Sequence, residues 1–258
     1  MTGANWSGDS RTCGSDSFCT AARKGEKMLR IILLISVSLL LAPWHTASAQ
    51  QQTTQSKPQF DEWSDEFSGD KLDEGKWEKF TFEGASGGKL DVKDGEVQIR
   101  SAAKTRAGVR TKAAFSGDRV IAEAHVAKVG PGYPEQGSNG PTLGYASLTL
   151  LFDGSGRNRI EWILTSEGTF EAWAITDGRG ERLDNGKLGT KMKDPVLSIV
   201  RRGNEFLFVI NSPTGKPEDA QVGLTKTISN MPKSFHLMLY GYGSSENNWD
   251  WARVVVAK

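Results

Sequence analysis

The chain has 258 residues, with 32 Lys and Arg against 31 Asp and Glu, a net charge of +1, and no nucleic-acid-binding footprint is visible in it. Its two cysteines, Cys13 and Cys19, both precede Met28. Everything after them must be held by packing alone, without disulfides, even in an oxidising compartment.

From Met28 the sequence reads Met-Leu-Arg, then an apolar run from Ile31 to Leu41, then Pro43 and Ala47-Ser48-Ala49. Charge, apolar run and small residues in that order are those of a secretory signal, with cleavage expected after Ala49. A helix crossing a bilayer needs roughly 20 apolar residues, so no stable membrane anchor is expected once the signal is removed. The competing reading of the run is a buried core helix, but nothing amphipathic flanks it. Residues 1–27 read as an extension preceding the true initiator at Met28, and residues 50–59 as a polar, flexible linker. The remaining residues, 60–258, carry no cysteine for a lipid. The expectation is a periplasmic or secreted protein with one domain of a size that sandwiches commonly reach.

Past Pro58 no stretch shows helical spacing of apolar residues. Short alternating runs recur instead, bounded by Gly, Asn, Asp and Pro. In chain order they predict strands over 95–101, 119–129, 146–152, 159–165, 169–176, 195–202, 205–211, 234–240 and 251–256. Many short strands at even spacing predict an all-β, two-sheet antiparallel β-sandwich of jelly-roll type. Two hairpins can be put in register. The first turns at Ser166-Glu167-Gly168 with Gly168 left-handed, pairing Leu164 with Phe170, Trp162 with Ala172 and Ile160 with Ala174. One face then collects apolar residues, and the other carries Glu161, Ile163, Thr165, Thr169, Glu171 and Trp173, with Glu161 across from Trp173. A two-residue Glu167-Gly168 turn would mix polar and apolar residues on both faces, so the first register is preferred. The second hairpin turns at Gly203-Asn204 and pairs Arg202 with Glu205. It gathers Leu197, Ile199, Phe206, Phe208 and Ile210, with Arg201 at the rim.

Four segments resemble concanavalin A-like (LamG-like, laminarinase-like) jelly-roll domains. Trp63-Ser-Asp-Glu-Phe67 through Leu72 and Trp77 looks like the opening strand and loop. Asp94-Gly-Glu-Val-Gln-Ile99, followed by Gly108-Val-Arg-Thr-Lys112 and Phe115-Ser-Gly-Asp, looks like the second hairpin. Leu197-Ser-Ile-Val-Arg-Arg-Gly-Asn-Glu-Phe206 and Trp249-Asp-Trp-Ala-Arg-Val254 resemble a later hairpin and the closing strand. The resemblance implies fold, while function must be argued from a site. Laminarinase-type members carry a Glu-x-Asp-x-x-Glu strand that supplies their catalytic carboxylates, and this sequence lacks it.

Glu161 and Glu171 are diagonal neighbours in the preferred register, a candidate carboxylate pair for glycoside hydrolysis or two residues of a wet face. Trp173 beside them could stack on the C–H face of a sugar or be covered by a loop. The turn-rich loop 129–141 offers Tyr133, Glu135, Gln136 and Asn139 as rim contacts, or is a flexible edge, and 241–249 reads as a second loop. His125, two residues after Glu123, is a candidate sugar donor or base, or a plain strand residue; His236 has the same two readings. With two histidines and no cysteine, zinc has little to build on. The resemblance implies a structural calcium near Glu66 and Asp250; otherwise no cofactor is expected. The expected function is an exported, lectin-like module recognising glycan on its concave face. The alternatives are a hydrolase of the 3-keto-disaccharide hydrolase-like type, which segments 94–97 and 108–112 also resemble, or a structural or partner-binding envelope domain.

Overall fold

The computed structural model describes residues 59–82, 88–101, 105–132, 143–189, 194–212, 219–242 and 246–258. Nearly all of their regular structure is strand, arranged in two antiparallel sheets. The first has the order β14 (Val222–Thr227), β13 (Glu205–Asn211), β12 (Val196–Arg202), β7 (Arg119–Val129), β16 (Glu246–Ala257), β4 (Glu96–Ser101) and β3 (Gly88–Lys93). The opening strand β1 (Phe60–Asp65) also pairs with the closing strand β16. The second has the order β11 (Arg179–Lys187), β10 (Thr169–Thr176), β9 (Arg159–Thr165), β8 (Tyr145–Leu151), β15 (Ser234–Tyr242), β5 (Arg106–Thr111) and β2 (Trp77–Phe82), with the short β6 (Phe115–Ser116) on β15.

Side-chain alternation explains why the sheets face each other. On β7, Val120, Ala122, Ala124 and Val126 are buried, while Ile121, Glu123 and His125 between them are partly exposed. On β9 and β10 the inward residues are Ile160, Trp162, Leu164, Phe170, Ala172 and Ala174. Between the sheets lie Trp77, Trp162, Trp249, Phe206, Phe208 and Phe235. Burying each such side chain contributes about 1.5–3 kcal/mol, and this core takes the place of disulfides. The Trp162 indole N–H donates to the Val209 carbonyl of the other sheet at 2.8 Å, so a polar atom that burial would strand instead ties the two layers together.

Both predicted hairpins form in the preferred register. Phe170 pairs with Leu164, Ala172 with Trp162 and Trp173 with Glu161, and Gly168 has a φ of 75° that its turn demands of a residue without Cβ. Arg202 pairs with Glu205. Three expectations need correction. Arg201 is not at a rim but 2% exposed, capped by Phe152 and Phe206, with its guanidinium donating to the carbonyls of Gly203, Met231 and Pro232. The segments 94–99 and 108–112 do not pair with each other: β4 forms a hairpin with β3, while β5 crosses to the second sheet between β2 and β15. The supposed loop 241–249 is mostly strand, since β15 runs to Tyr242 and β16 starts at Glu246, with Trp249 fully buried.

Candidate functional site

The outward face of the second sheet carries the residues that alternate with its core set. Register lines up Trp173 on β10, Glu161 on β9 and Thr149 on β8, and in the next row Glu171, Ile163, Ser147 and Tyr240. These strands floor a cleft of about 430 Å³, within the range of small-molecule sites, roughly 300–1,000 Å³. Phe82, Arg106, Tyr145 and Tyr242 line it from the β2 and β15 side, and Glu171, Trp173 and Gly180 from the β10 and β11 side.

Each polar group in the cleft has a definite setting. Glu161 is 3% exposed, and Arg159 Nε donates to it at 2.5 Å while its guanidinium lies over the Phe82 ring at 4.6 Å. The expected wet face is therefore dry at its floor: Glu161, Ile163 and Thr165 are all buried. The Trp173 indole N–H donates to Glu171 at 2.7 Å, which fixes ring and carboxylate together, and Arg182 lies 5.9 Å from the ring centroid. Trp173 is thus partly covered by β11 and partly open to the cleft. Tyr240 is buried, and that burial, reinforced by the Glu161 charge, pushes its phenol far above the ordinary tyrosine range, so it stays neutral. Burial raises the Tyr145 phenol as well, with Glu171 and Tyr242 adding to the effect.

Two turns bound to each other also line the cleft. Asp153 accepts from the Ser155 and Arg157 amides and from the Asn158 side chain; these bonds outweigh the opposing effect of its burial and hold its carboxyl below the usual range. Asn158 then accepts from the Asp177 amide at 3.0 Å, and Arg157 Nη2 donates to the Asp177 carbonyl at 2.9 Å. Gly156 at this rim has a φ of 77°, and a Cβ there would lie 2.1 Å from the Phe82 ring.

The structure brings together Glu161, Glu171 and Trp173. It sets His125 apart, on β7 of the first sheet, where Nδ1 lies 3.0 Å from Asp250 and the ring stacks on Trp251. His236 sits 2.7 Å from the Thr111 carbonyl, a structural contact between β15 and the end of β5. Tyr133, Glu135, Gln136 and Asn139 lie outside the described residues. Among the described residues no three His, Cys, Asp or Glu side chains gather as a metal site would require. Glu66 follows β1, and Asp250 on β16 has its carboxylate 3.0 Å from His125 Nδ1. Sequence reasoning missed Arg106, Arg157, Arg159, Tyr145 and Tyr240, although Tyr240 stands two residues before Tyr242 on one strand, as residues sharing a face must. On β8 and β9, Glu161 is the only outward carboxylate, so no strand here presents the three carboxylates of the laminarinase pattern.

No family model matches the chain and no curated protein matches its sequence. Solved structures do resemble it. One is a non-specific endo-β-1,3(4)-glucanase of family GH16, with TM-score 0.54 and 14% identity over 78% of this chain and 95% of that one. Another is the CBM2 module of the evolved Dit of Lactobacillus casei BL23 phage J-1, with TM-score 0.54 and 10% identity over 78% of this chain and 98% of that one. A third is an immunostimulatory antigen and pseudo β-1,3-glucanase of Mycobacterium tuberculosis, with TM-score 0.51 and 14% identity over 74% of this chain and 97% of that one. At such identities the likeness speaks to fold alone, and the fold it shows is a concanavalin A-like jelly roll.

Proposed function

We propose that the protein is an exported glycan-binding module whose site is the cleft on the second sheet. The observation that carries this reading is Trp173, held by its bond to Glu171 at the wall of a cleft that Tyr145, Tyr242 and Arg106 also line. Sugars present C–H faces to aromatic rings and hydroxyls to charged and amide groups, and this wall offers both. Structural neighbours that include a carbohydrate-binding module and glucanases support glycan as the ligand class. Both glutamates of the cleft are engaged, Glu161 by Arg159 and Glu171 by Trp173, which favours binding over bond cleavage. The signal-like order from Met28 to Ala49 supports export, with Gln50 as the first mature residue, and N-terminal sequencing of the exported protein tests it.

The functional test is a polysaccharide and glycan-array screen of the protein beside Trp173→Ala, with reducing-sugar release followed in the same wells. Binding without release, weakened at least about tenfold in the variant (about 1.4 kcal/mol), is expected. Release abolished by Glu161→Gln or Glu171→Gln would establish the hydrolase reading instead. Neither binding nor release would leave the structural or partner-binding reading.

A further inference from the structure

The charges lining the cleft bear on what kind of glycan it takes. Two carboxylates face it, Glu161 and Glu171, and both are already engaged: Glu161 with Arg159 at 2.5 Å, Glu171 with the Trp173 indole at 2.7 Å and with Arg182 at 4.0 Å. Three arginines line the same cleft. Arg159 is spent on Glu161, and Arg106 lies over the Tyr242 ring, its Cζ 4.9 Å from the centroid.

Arg157 differs from both. It is exposed where it lines the cleft, and its guanidinium donates to a neutral acceptor, the Asp177 main-chain carbonyl at 2.9 Å. Of the two carboxylates four residues away, Asp153 bonds the Arg157 amide rather than its side chain, and Glu161 is engaged by Arg159. The turn contacts therefore aim the guanidinium and steady it without neutralising it. A guanidinium has five N–H donors in a planar fork suited to the two oxygens of an anion, and one held in advance loses less freedom on pairing.

We infer that the cleft takes an acidic glycan, and that Arg157 pairs with the anionic group of the sugar while Trp173 supplies the stacking wall. This rests on the glycan-binding reading and adds to it the charge class of the ligand and a residue that selects for it. The anion is a uronate carboxylate or a sulfate ester, and the choice of probe separates the two.

The test measures affinity for polygalacturonate, carrageenan and laminarin, representing carboxylated, sulfated and neutral chains, at low and at physiological salt. At least one acidic polymer is expected to bind about tenfold more tightly than laminarin, with the advantage shrinking as salt rises. Arg157→Gln is expected to abolish that advantage, and Arg157→Lys to retain part of it. Arg119→Gln, which removes an exposed arginine of the first sheet, is expected to leave it intact and so separates a local pairing from an effect of net charge. Laminarin binding as tightly as the acidic polymers, or an advantage that survives Arg157→Gln, overturns the inference while leaving the glycan-binding reading standing. Failure of all three polymers and of the wider glycan array to bind overturns both.

Discussion

Arg201 carries a cation into the core beside Phe206, and three main-chain carbonyls receive its N–H groups where a carboxylate might have been expected. The Met231 and Pro232 carbonyls belong to the connection between β14 and β15, so one side chain ties that turn to the end of β12, beside the core contacts of Ile228 and Met231. Removing the guanidinium strands buried carbonyls and opens a void. Arg201→Ala is therefore expected to lower stability by roughly 2–4 kcal/mol in chemical denaturation, whereas a loss under about 0.5 kcal/mol would show that the clamp is idle. Such a residue is hard to read in a sequence. Alternation puts Arg201 on the inward side of β12 with Leu197 and Ile199, but a charge at a strand end ordinarily reaches solvent, and only the folded turn supplies carbonyls to keep it inside. Trp173 and Glu161 were legible for the opposite reason. Both lie in a hairpin whose register follows from its own turn and its own apolar set.

Elements joined at the ends of strands respond to acid. Glu246, at the start of β16, accepts from Arg100 on β4 and from Lys128 on β7 at 3.0 Å, and these bonds hold its carboxyl below the usual 4.5. A carboxylate whose pKa is depressed by folding stabilises the native state above its unfolded value and loses that contribution as the pH falls through the folded one. Stability should thus decline below about pH 4.5, and Glu246→Gln should flatten that decline while costing stability at pH 7. Thermal unfolding across pH 3–7 checks it: equal slopes in both proteins would contradict the assignment. The strands with strong alternation, β7, β9, β10 and β13, were predicted residue for residue. Those that escaped are edge or interrupted strands. β11 reads Arg-Gly-Glu-Arg-Leu-Asp-Asn-Gly-Lys and is mostly exposed, and β5 is broken by Gly108, where a Cβ would lie 2.0 Å from the Leu239 carbonyl. Pairing to neighbours, rather than any pattern of their own, makes them strands.

At the scale of the molecule, two sheets bury the main core between them, and residues from β2, β5, β8, β9, β10 and β15 meet at one cleft on the outer face of the second. No short segment could announce that site, because its walls come from places as distant as Phe82 and Tyr242 and only sheet order makes them neighbours. The jelly-roll architecture was legible because strand spacing and the four family-like segments agree. The identity of the site had to wait for topology. An NMR titration of the indole N–H signals with a glycan drawn from the array checks directly whether ligand binds at this cleft. Trp173 donates its N–H at the cleft wall, while Trp162 donates to Val209 in the core and serves as an internal reference. With the glycan in the cleft, the Trp173 signal is expected to shift in a saturable way while that of Trp162 stays in place. A glycan that binds and leaves the Trp173 signal unmoved would place its site outside this cleft and contradict the glycan-binding assignment of Trp173.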